Sequence, residues 1–568
     1  MVKLAFGITA VLTMGGTAMV FAADRPEGRS LATRSVVYAR HGMVAAAQPL
    51  AVQVGLDVLK RGGSAVDAAI AVNAALGLME PVSCGLGGDL FAMVWDPTSG
   101  KLYGLNGSGR APLALTPEKV KPEKDGTIPV HSPYAWTVPG CADAWFELHQ
   151  RFGRLPMKEL LAPAIAYARE GVPVPQVIAG SWARGARAFA DKPGFAEVFL
   201  PGGKAPREGE PFANPALART LEVLAAGGRD AFYRGEIAEK IVAFSKKVGG
   251  YFSLEDFARH HSEWQEPIST SYRGFTVWEL PPNGQGLAAL EMLNLLERFD
   301  LKAMGRDNPD FWHVMVEAKK LAFADRAKYF ADPAFSPAPV AALLDKAYAA
   351  KQRERIDMKH AARTVEAANP LLQRGDTTFL VAADERGMMV ALIQSNYTGF
   401  GSGYVVPELG FGIHSRGALF SLQPGHANLL APAKRPFHTI IPAFLGKDGV
   451  PLMAFGVMGG DMQPQGHAQI VVNLVDFGMN LQEAGDAPRF YHTEDNEPTG
   501  TVMRDGGVLD LESGISQDVR QDLLRRGHHI VEANGIVFGG YQAIWRDPTT
   551  GVLSGASESR KDGCAAGY

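Results

Sequence analysis

An α+β fold is predicted by two features of the pattern along the chain and one of its bulk composition. From about Leu113 to Asn369 the apolar residues recur mainly at helical spacing, as in Val314, Ala318, Leu321 and Ala322 within Asp310 to Tyr329. After Arg374 the pattern changes to short β-rich runs separated by turns. The 568 residues are 46% hydrophobic and 20% charged, with 64 Gly and 37 Pro, as in a loop-rich globular protein with a substantial core. A net charge of -4 gives no electrostatic reason to expect nucleic acid or an anionic membrane as partner.

Taken in order, residues 1–22 read as a secretory signal peptide. Lys3 supplies the positive start, an apolar stretch runs from Leu4 to Phe21, and a cut is expected near Ala22, implying a periplasmic or secreted protein. The later apolar run Ala65 to Met79 is too short to span a bilayer and carries Asp67 and Asn73. Ala51, Val54, Val58 and Leu59 predict a helix that stops at Gly62-Gly63. Ser64-x-x-Asp67 then predicts a capped, nearly all-apolar helix through Leu76. The glycines of Cys84-Gly-Leu-Gly-Gly-Asp89 permit close backbone approach ahead of a strand at Phe91 to Trp95. Beyond Arg374, strands are expected at Thr377 to Ala383, Met389 to Gln394, Ile440 to Leu445, Leu452 to Val457 and Tyr541 to Trp545, with a helix at Ala468 to Phe477. The three cysteines, Cys84, Cys141 and Cys564, lack CxxC spacing and are read as structural.

Familiar catalytic arrangements are missing: the chain has no GxSxG elbow, no HExxH and no GxGxxG after a strand. The pairs His260-His261 and His528-His529 sit among polar residues and are expected at the surface, not as ligands; no metal or organic cofactor is called for. What remains is Gly375-Asp376-Thr377-Thr378 at the mouth of a strand. A hydroxyl needs a base beside it, and a Thr at a free chain end carries one, because its α-amine titrates near pH ~8. Cutting between Asp376 and Thr377 would create nucleophile and base together. By themselves these four residues also read as the β-branched start of a strand.

The wider sequence resembles the γ-glutamyltransferase (glutathione hydrolase) family of N-terminal-nucleophile hydrolases. The resemblance rests on Gly42-Met-Val-Ala45, the Cys84 to Asp89 loop, Pro281-Pro-Asn-Gly-Gln-Gly286, Asp376-Thr-Thr378, Lys434-Arg-Pro436, Met458-Gly-Gly460 and the ending Ala566-Gly-Tyr568, in that order. It implies a four-layer αββα sandwich and autocleavage before Thr377. A large subunit (23–376) and a small subunit (377–568) would come from one precursor. It also implies that Thr377 is the nucleophile, that Gly459 and Gly460 form the oxyanion hole, and that Ser395 supplies the hydroxyl supporting the nucleophile.

The acyl-recognition positions depart from the family pattern. Ser108 stands where the family has the Arg that binds the substrate α-carboxylate, with Arg110 two residues later, and Leu419 replaces the acidic residue for the α-amine. His438 and Thr439 replace paired serines, Tyr397 replaces an Asn beside Asn396, and Arg416 lies in the same region. Ser108, Arg110, Asn396, Tyr397, Arg416, His438 and Thr439 are therefore the candidate substrate-binding residues. The segment from Phe420 to Lys434 is shorter than the corresponding loop of many family members, which predicts a more open pocket. The expected substrates are γ-glutamyl compounds such as glutathione, with water or an amine as acceptor and hydrolysis favoured over transpeptidation. A glutaryl or cephalosporin acylase-like amidase is the alternative, and a catalytically silent binding protein on the same fold is the rival from another class.

Overall fold

The computed structural model describes residues 32–366, 376–531 and 535–568. The expected signal peptide and Gly375 lie outside the described residues. Two seven-stranded antiparallel sheets stack face to face. One runs, edge to edge, Cys564–Gly567, Met43–Ala46, Asp376–Ala383, Met389–Tyr397, Asp89–Asp96, Lys101–Gly107 and Glu263–Gln265. The other runs Val37–Ala39, Leu553–Ser557, Gly540–Arg546, Val450–Met458, Ala443–Lys447, Phe275–Glu279 and Ile268–Tyr272.

The apolar runs follow from burial on both faces. In Asp376–Ala383, Phe379, Val381 and Ala383 enter the core between the sheets, where Phe91, Ile393, Phe444 and Ile544 meet them. The intervening Leu380 and Ala382 point outward, into a second core built with the helices of the first sheet's outer face. With helices on both sides, the strand cannot alternate apolar and polar residues and still be covered. On the outer face of the other sheet, Val277, Leu445, Phe455 and Val457 pack with the helices Gly286–Leu296, Pro309–Tyr329 and Met462–Val475. The resulting order of helices, sheet, sheet, helices is the αββα sandwich.

The helix Ala65–Met79 begins as expected: Ser64 Oγ accepts from Asp67 N at 3.1 Å and Asp67 Oδ2 accepts from Ser64 N at 2.9 Å. That carboxylate also accepts from the backbone of Arg154 and Leu155, which fixes the helix to the next layer. Several expectations need correction. The middle of the chain also supplies the strands Glu263–Gln265, Ile268–Tyr272 and Phe275–Glu279, which lie at or next to sheet edges. Their half-buried pattern mixes Ser and Thr with apolar residues and is weak as a sequence signal. The strand expected from Ile440 begins at Ala443, and the helix expected from Ala468 begins at Met462 because Pro464 fits its first turn.

Both sheets interleave chain from either side of residue 377. Met43–Ala46 pairs with both Asp376–Ala383 and Cys564–Gly567, Asp89–Asp96 with Met389–Tyr397, Val37–Ala39 with Leu553–Ser557, and Phe275–Glu279 with Ala443–Lys447. A chain cut before Thr377 should therefore elute as one particle from a native sizing column and resolve into two species only in denaturant. Separation of the fragments without denaturant would contradict this interleaving.

Candidate active site

Thr377 lies on a central strand at a break in register. Asp376 pairs with Tyr397 but Thr378 pairs with Gln394, so Ser395 and Asn396 together face the place of Thr377. Such a bulge twists the strand and re-aims a side chain. Here Thr377 Oγ1 donates to Ser395 Oγ at 3.2 Å, and Ser395 Oγ also accepts from Tyr397 N at 2.8 Å. Tyr397 is held at φ +75°, an uncommon angle for a non-glycine residue. Both hydroxyl side chains are buried. The loop before Asp89 closes over this bulge, where a Cβ on Gly88 would lie 2.6 Å from the Ser395 carbonyl oxygen.

Gly459 and Gly460 form the turn between the strand Val450–Met458 and the helix Met462–Val475. Their φ angles are +122° and +59°. The two sheets meet closely just before this turn, with Phe379 packed where a Gly456 Cβ would be. The turn is thus carried on the strand that faces the Thr377 strand, at the N-terminus of a 14-residue helix. Backbone N–H groups at such an end, together with the helix dipole, favour a developing negative charge.

This turn is held by a buried polar frame that sequence reasoning missed. Gln285 Nε2 donates to the carbonyl oxygens of Thr439 and Gly460 at 2.7 and 2.9 Å. Its Oε1 accepts from Arg326 Nη1 at 2.6 Å, and the same nitrogen donates to Asp461 Oδ1 at 2.5 Å. Arg326 Nη2 pairs with Glu497, and its guanidinium stacks on Phe323. Burial pushes Glu497 up, and Arg326 pulls it back. Gln285 lies within the quoted Pro281 to Gly286 motif, so a signal existed there. Arg326 and Glu497 carried none, since charged residues on a helix and in a loop normally read as solvated.

A second buried cluster centres on Asp89, which pairs across the strands with Ser395. Asp89 Oδ1 accepts from Gly109 N at 3.1 Å and Oδ2 from His438 Nε2 at 2.9 Å. Burial alone would raise this carboxyl, but His414, His438 and Arg416 outweigh it and hold it at about 2. Burial pushes His438 down to about 3, so its ring is neutral at neutral pH, with Nε2 as the donor. Arg416 Nη1 donates to Thr439 Oγ1 at 2.7 Å, and its guanidinium lies 4.7 Å from the centre of the Tyr397 ring.

The structure thus links Thr377, Ser395, Tyr397, Arg416, Thr439 and, through Asp89, His438. It joins Gly460 to Thr439 through Gln285. Three other expected binding residues have protein partners of their own. Ser108 Oγ donates to Asn106 Oδ1 at 2.7 Å and accepts from Asn283 Nδ2. Arg110 pairs with Glu263 at 2.6 Å, a carboxylate shared with Arg435. The Asn396 amide turns to the Pro81 carbonyl at 3.3 Å.

The expected surface position of both histidine pairs holds for only one member of each. His261 and His529 are exposed, but His260 and His528 are buried, because adjacent side chains point opposite ways. Among the described residues, His313, Glu317 and His528 approach within metal-binding range of one another. Their polar atoms are already occupied: His313 contacts His528 and the Asp357 carbonyl, and Glu317 accepts from Lys320 and Ala362 N. The cluster acts as a clasp on residues 357–362.

Replacing Gln285 by Leu removes both carbonyl clamps while filling similar volume. Amide turnover by the Q285L protein should fall about 10- to 100-fold in kcat, the scale of a small misplacement of reacting groups. Gly459→Ala should also lower kcat, because a Cβ at φ +122° would meet Gly539 Cα at 3.2 Å. Steady-state kinetics on soluble protein with wild-type melting behaviour checks both, and an unchanged kcat for Q285L would remove the frame's role.

The family model described as gamma-glutamyltranspeptidase matches residues 51–568. The chain is 36% identical to the glutathione hydrolase-like YwrD proenzyme of Bacillus subtilis (strain 168), over 92% of this chain and 98% of that relative. It is equally 36% identical to the oxamate amidohydrolase proenzyme of Klebsiella pneumoniae, covering 93% of this chain and 98% of that protein. The crystal structure of a cephalosporin acylase from Bacillus halodurans superposes with a TM-score of 0.87 at 46% identity, covering 96% and 98% of the two chains. No helix among the described residues is long and apolar enough to cross a membrane. This chain, with its threonine at a strand bulge between two stacked sheets, belongs to the γ-glutamyltranspeptidase family of hydrolases.

Proposed function

We propose that this protein is a self-processed amide hydrolase and acyltransferase whose nucleophile is Thr377. The observation that carries the reading is the 3.2 Å contact from Thr377 Oγ1 to Ser395 Oγ at the strand bulge. It supports the reading because it gives the hydroxyl of the proposed new chain start a side-chain partner. In processing, Thr377 Oγ adds to the Asp376 carbonyl carbon and the Asp376–Thr377 C–N bond breaks. The resulting ester is hydrolysed by water, leaving the Asp376 carboxylate and a free Thr377 amine. The proenzyme names of the relatives support this step.

In turnover, Thr377 Oγ attacks the substrate amide carbonyl while its own amine accepts the hydroxyl proton and then delivers it to the leaving amine. The N–H groups of Gly459 and Gly460 stabilise the oxyanion. Water, or an amine acceptor, then releases the acyl group from Thr377. Under this reading γ-glutamyl compounds such as glutathione are substrates and hydrolysis exceeds transfer. A second reading, an acylase for glutaryl-type side chains, is favoured by the likeness to the cephalosporin acylase and by the neutral His438 and charged Arg416 beside the site. Relative rates on γ-glutamyl and glutaryl anilides decide between the two.

Thr377→Ala should leave one uncut polypeptide on a denaturing gel and no amide turnover, whereas Thr377→Ser should still be cut and retain activity. Sequencing of the smaller wild-type band should begin at Thr377. Cut or active T377A protein would overturn the proposal. Because the amine must be unprotonated to accept the proton, kcat/KM should rise with pH and level off above pH ~8. A profile that falls through that range would assign the base to another group.

A further inference from the structure

We infer that Arg416 is the receptor for a carboxylate carried by the acyl half of the substrate, which it holds side-on through Nε–H and Nη2–H. The inference rests on the amidase reading above and gives it a substrate class: monoamides of short dicarboxylic acids.

Arg416 opens the short 3-10 turn Arg416–Leu419 and is completely buried. One end of its guanidinium is fixed, by Nη1 on Thr439 Oγ1 and by the Tyr397 ring beneath the plane. The other edge has no protein acceptor: Nε and Nη2 are both buried without a hydrogen-bond partner. These two N–H groups lie along one edge of the planar guanidinium and point the same way, the geometry that receives both oxygens of one carboxylate. A buried charged group with two unsatisfied donors is costly unless a ligand completes it.

The acidic groups facing Arg416 do not complete it. They are Asp89 and Asp461, with Tyr397 as the third titratable neighbour. Asp89 is engaged by Gly109 N and His438, and Asp461 is held by Arg326. Arg416 is nevertheless tied to the reacting groups. Thr439, its anchor, shares Gln285 with Gly460, and Tyr397, its platform, donates its backbone N–H to Ser395 Oγ. A ligand on the open edge is thus registered to both the nucleophile strand and the oxyanion turn. One acyl chain with a carboxylate at one end and the scissile carbonyl at the other satisfies both, and an α-ammonium is not required.

The test uses the mature enzyme with glutaryl and pentanoyl p-nitroanilides, which share chain length and differ in the distal carboxylate. Wild-type kcat/KM should favour the glutaryl compound, and Arg416→Lys, which keeps charge but loses the fork, should lower that preference roughly 30- to 1000-fold. A preference unchanged in R416K would overturn the inference, including the case where both rates fall together through general damage. If R416K does not accumulate, calorimetry on the wild type reads the same property with methyl ketones that lack the cleavable amide: 5-oxohexanoate should bind and 2-hexanone should bind at least tenfold more weakly. Equal affinities would overturn it. Tight 5-oxohexanoate binding with turnover of neither anilide would support the fork and sink the amidase reading. Turnover of both anilides at equal efficiency would keep the amidase and sink the fork.

Discussion

The pairing of the Asp376–Ala383 strand between Met43–Ala46 and Met389–Tyr397 is the constraint on which the rest of the molecule depends. The strand is buried on both faces, so its register is strongly specified and its first residues are held rigidly while its body is locked. The bulge opposite Ser395 then exploits that rigidity. A regular ladder would set Ser395 directly beside Thr377 as an ordinary cross-strand neighbour; the extra residue turns the two hydroxyls toward each other and fixes the Tyr397 backbone against Ser395 Oγ.

Around this strand the protein divides its polar interior into two tasks. The frame of Arg326, Gln285, Asp461 and Glu497 controls where the glycine turn sits and carries the position of Thr439 with it. The cluster of Asp89, His438 and Arg416 lies on the side proposed to receive the acyl group. Buried ions are expensive, and the frame tolerates them through the ion pairs and hydrogen bonds that join Arg326 to Gln285, Asp461 and Glu497. Arg416 differs in presenting two unsatisfied donors side by side on one edge of a buried cation.

Much of the fold was legible because its signals are local or periodic. The capping box at Ser64 and the unbroken apolar runs of the two central strands each follow from a few adjacent residues. The site was legible in part. Thr377, Ser395 and the glycine pair were identified through motif resemblance, and the fold brings the first two into hydrogen-bond contact. Ser108, Arg110 and Asn396 were proposed from the resemblance, and only the fold shows their partners, Asn106, Glu263 and the Pro81 carbonyl.

The sequence by itself determined the α+β class, the strand bearing Thr377 and the presence of a glycine turn, because backbone conformation and burial leave marks within a few residues of one another; the four-layer order was implied by the family resemblance. Only the tertiary structure decided which charges are buried and which partners they have. Arg326 meets Gln285 and Glu497 across long stretches of chain, and Asp89 meets His438, 349 residues away. A charged side chain looks the same in a sequence whether water or another residue solvates it, so its role becomes readable only when the fold supplies, or withholds, a partner.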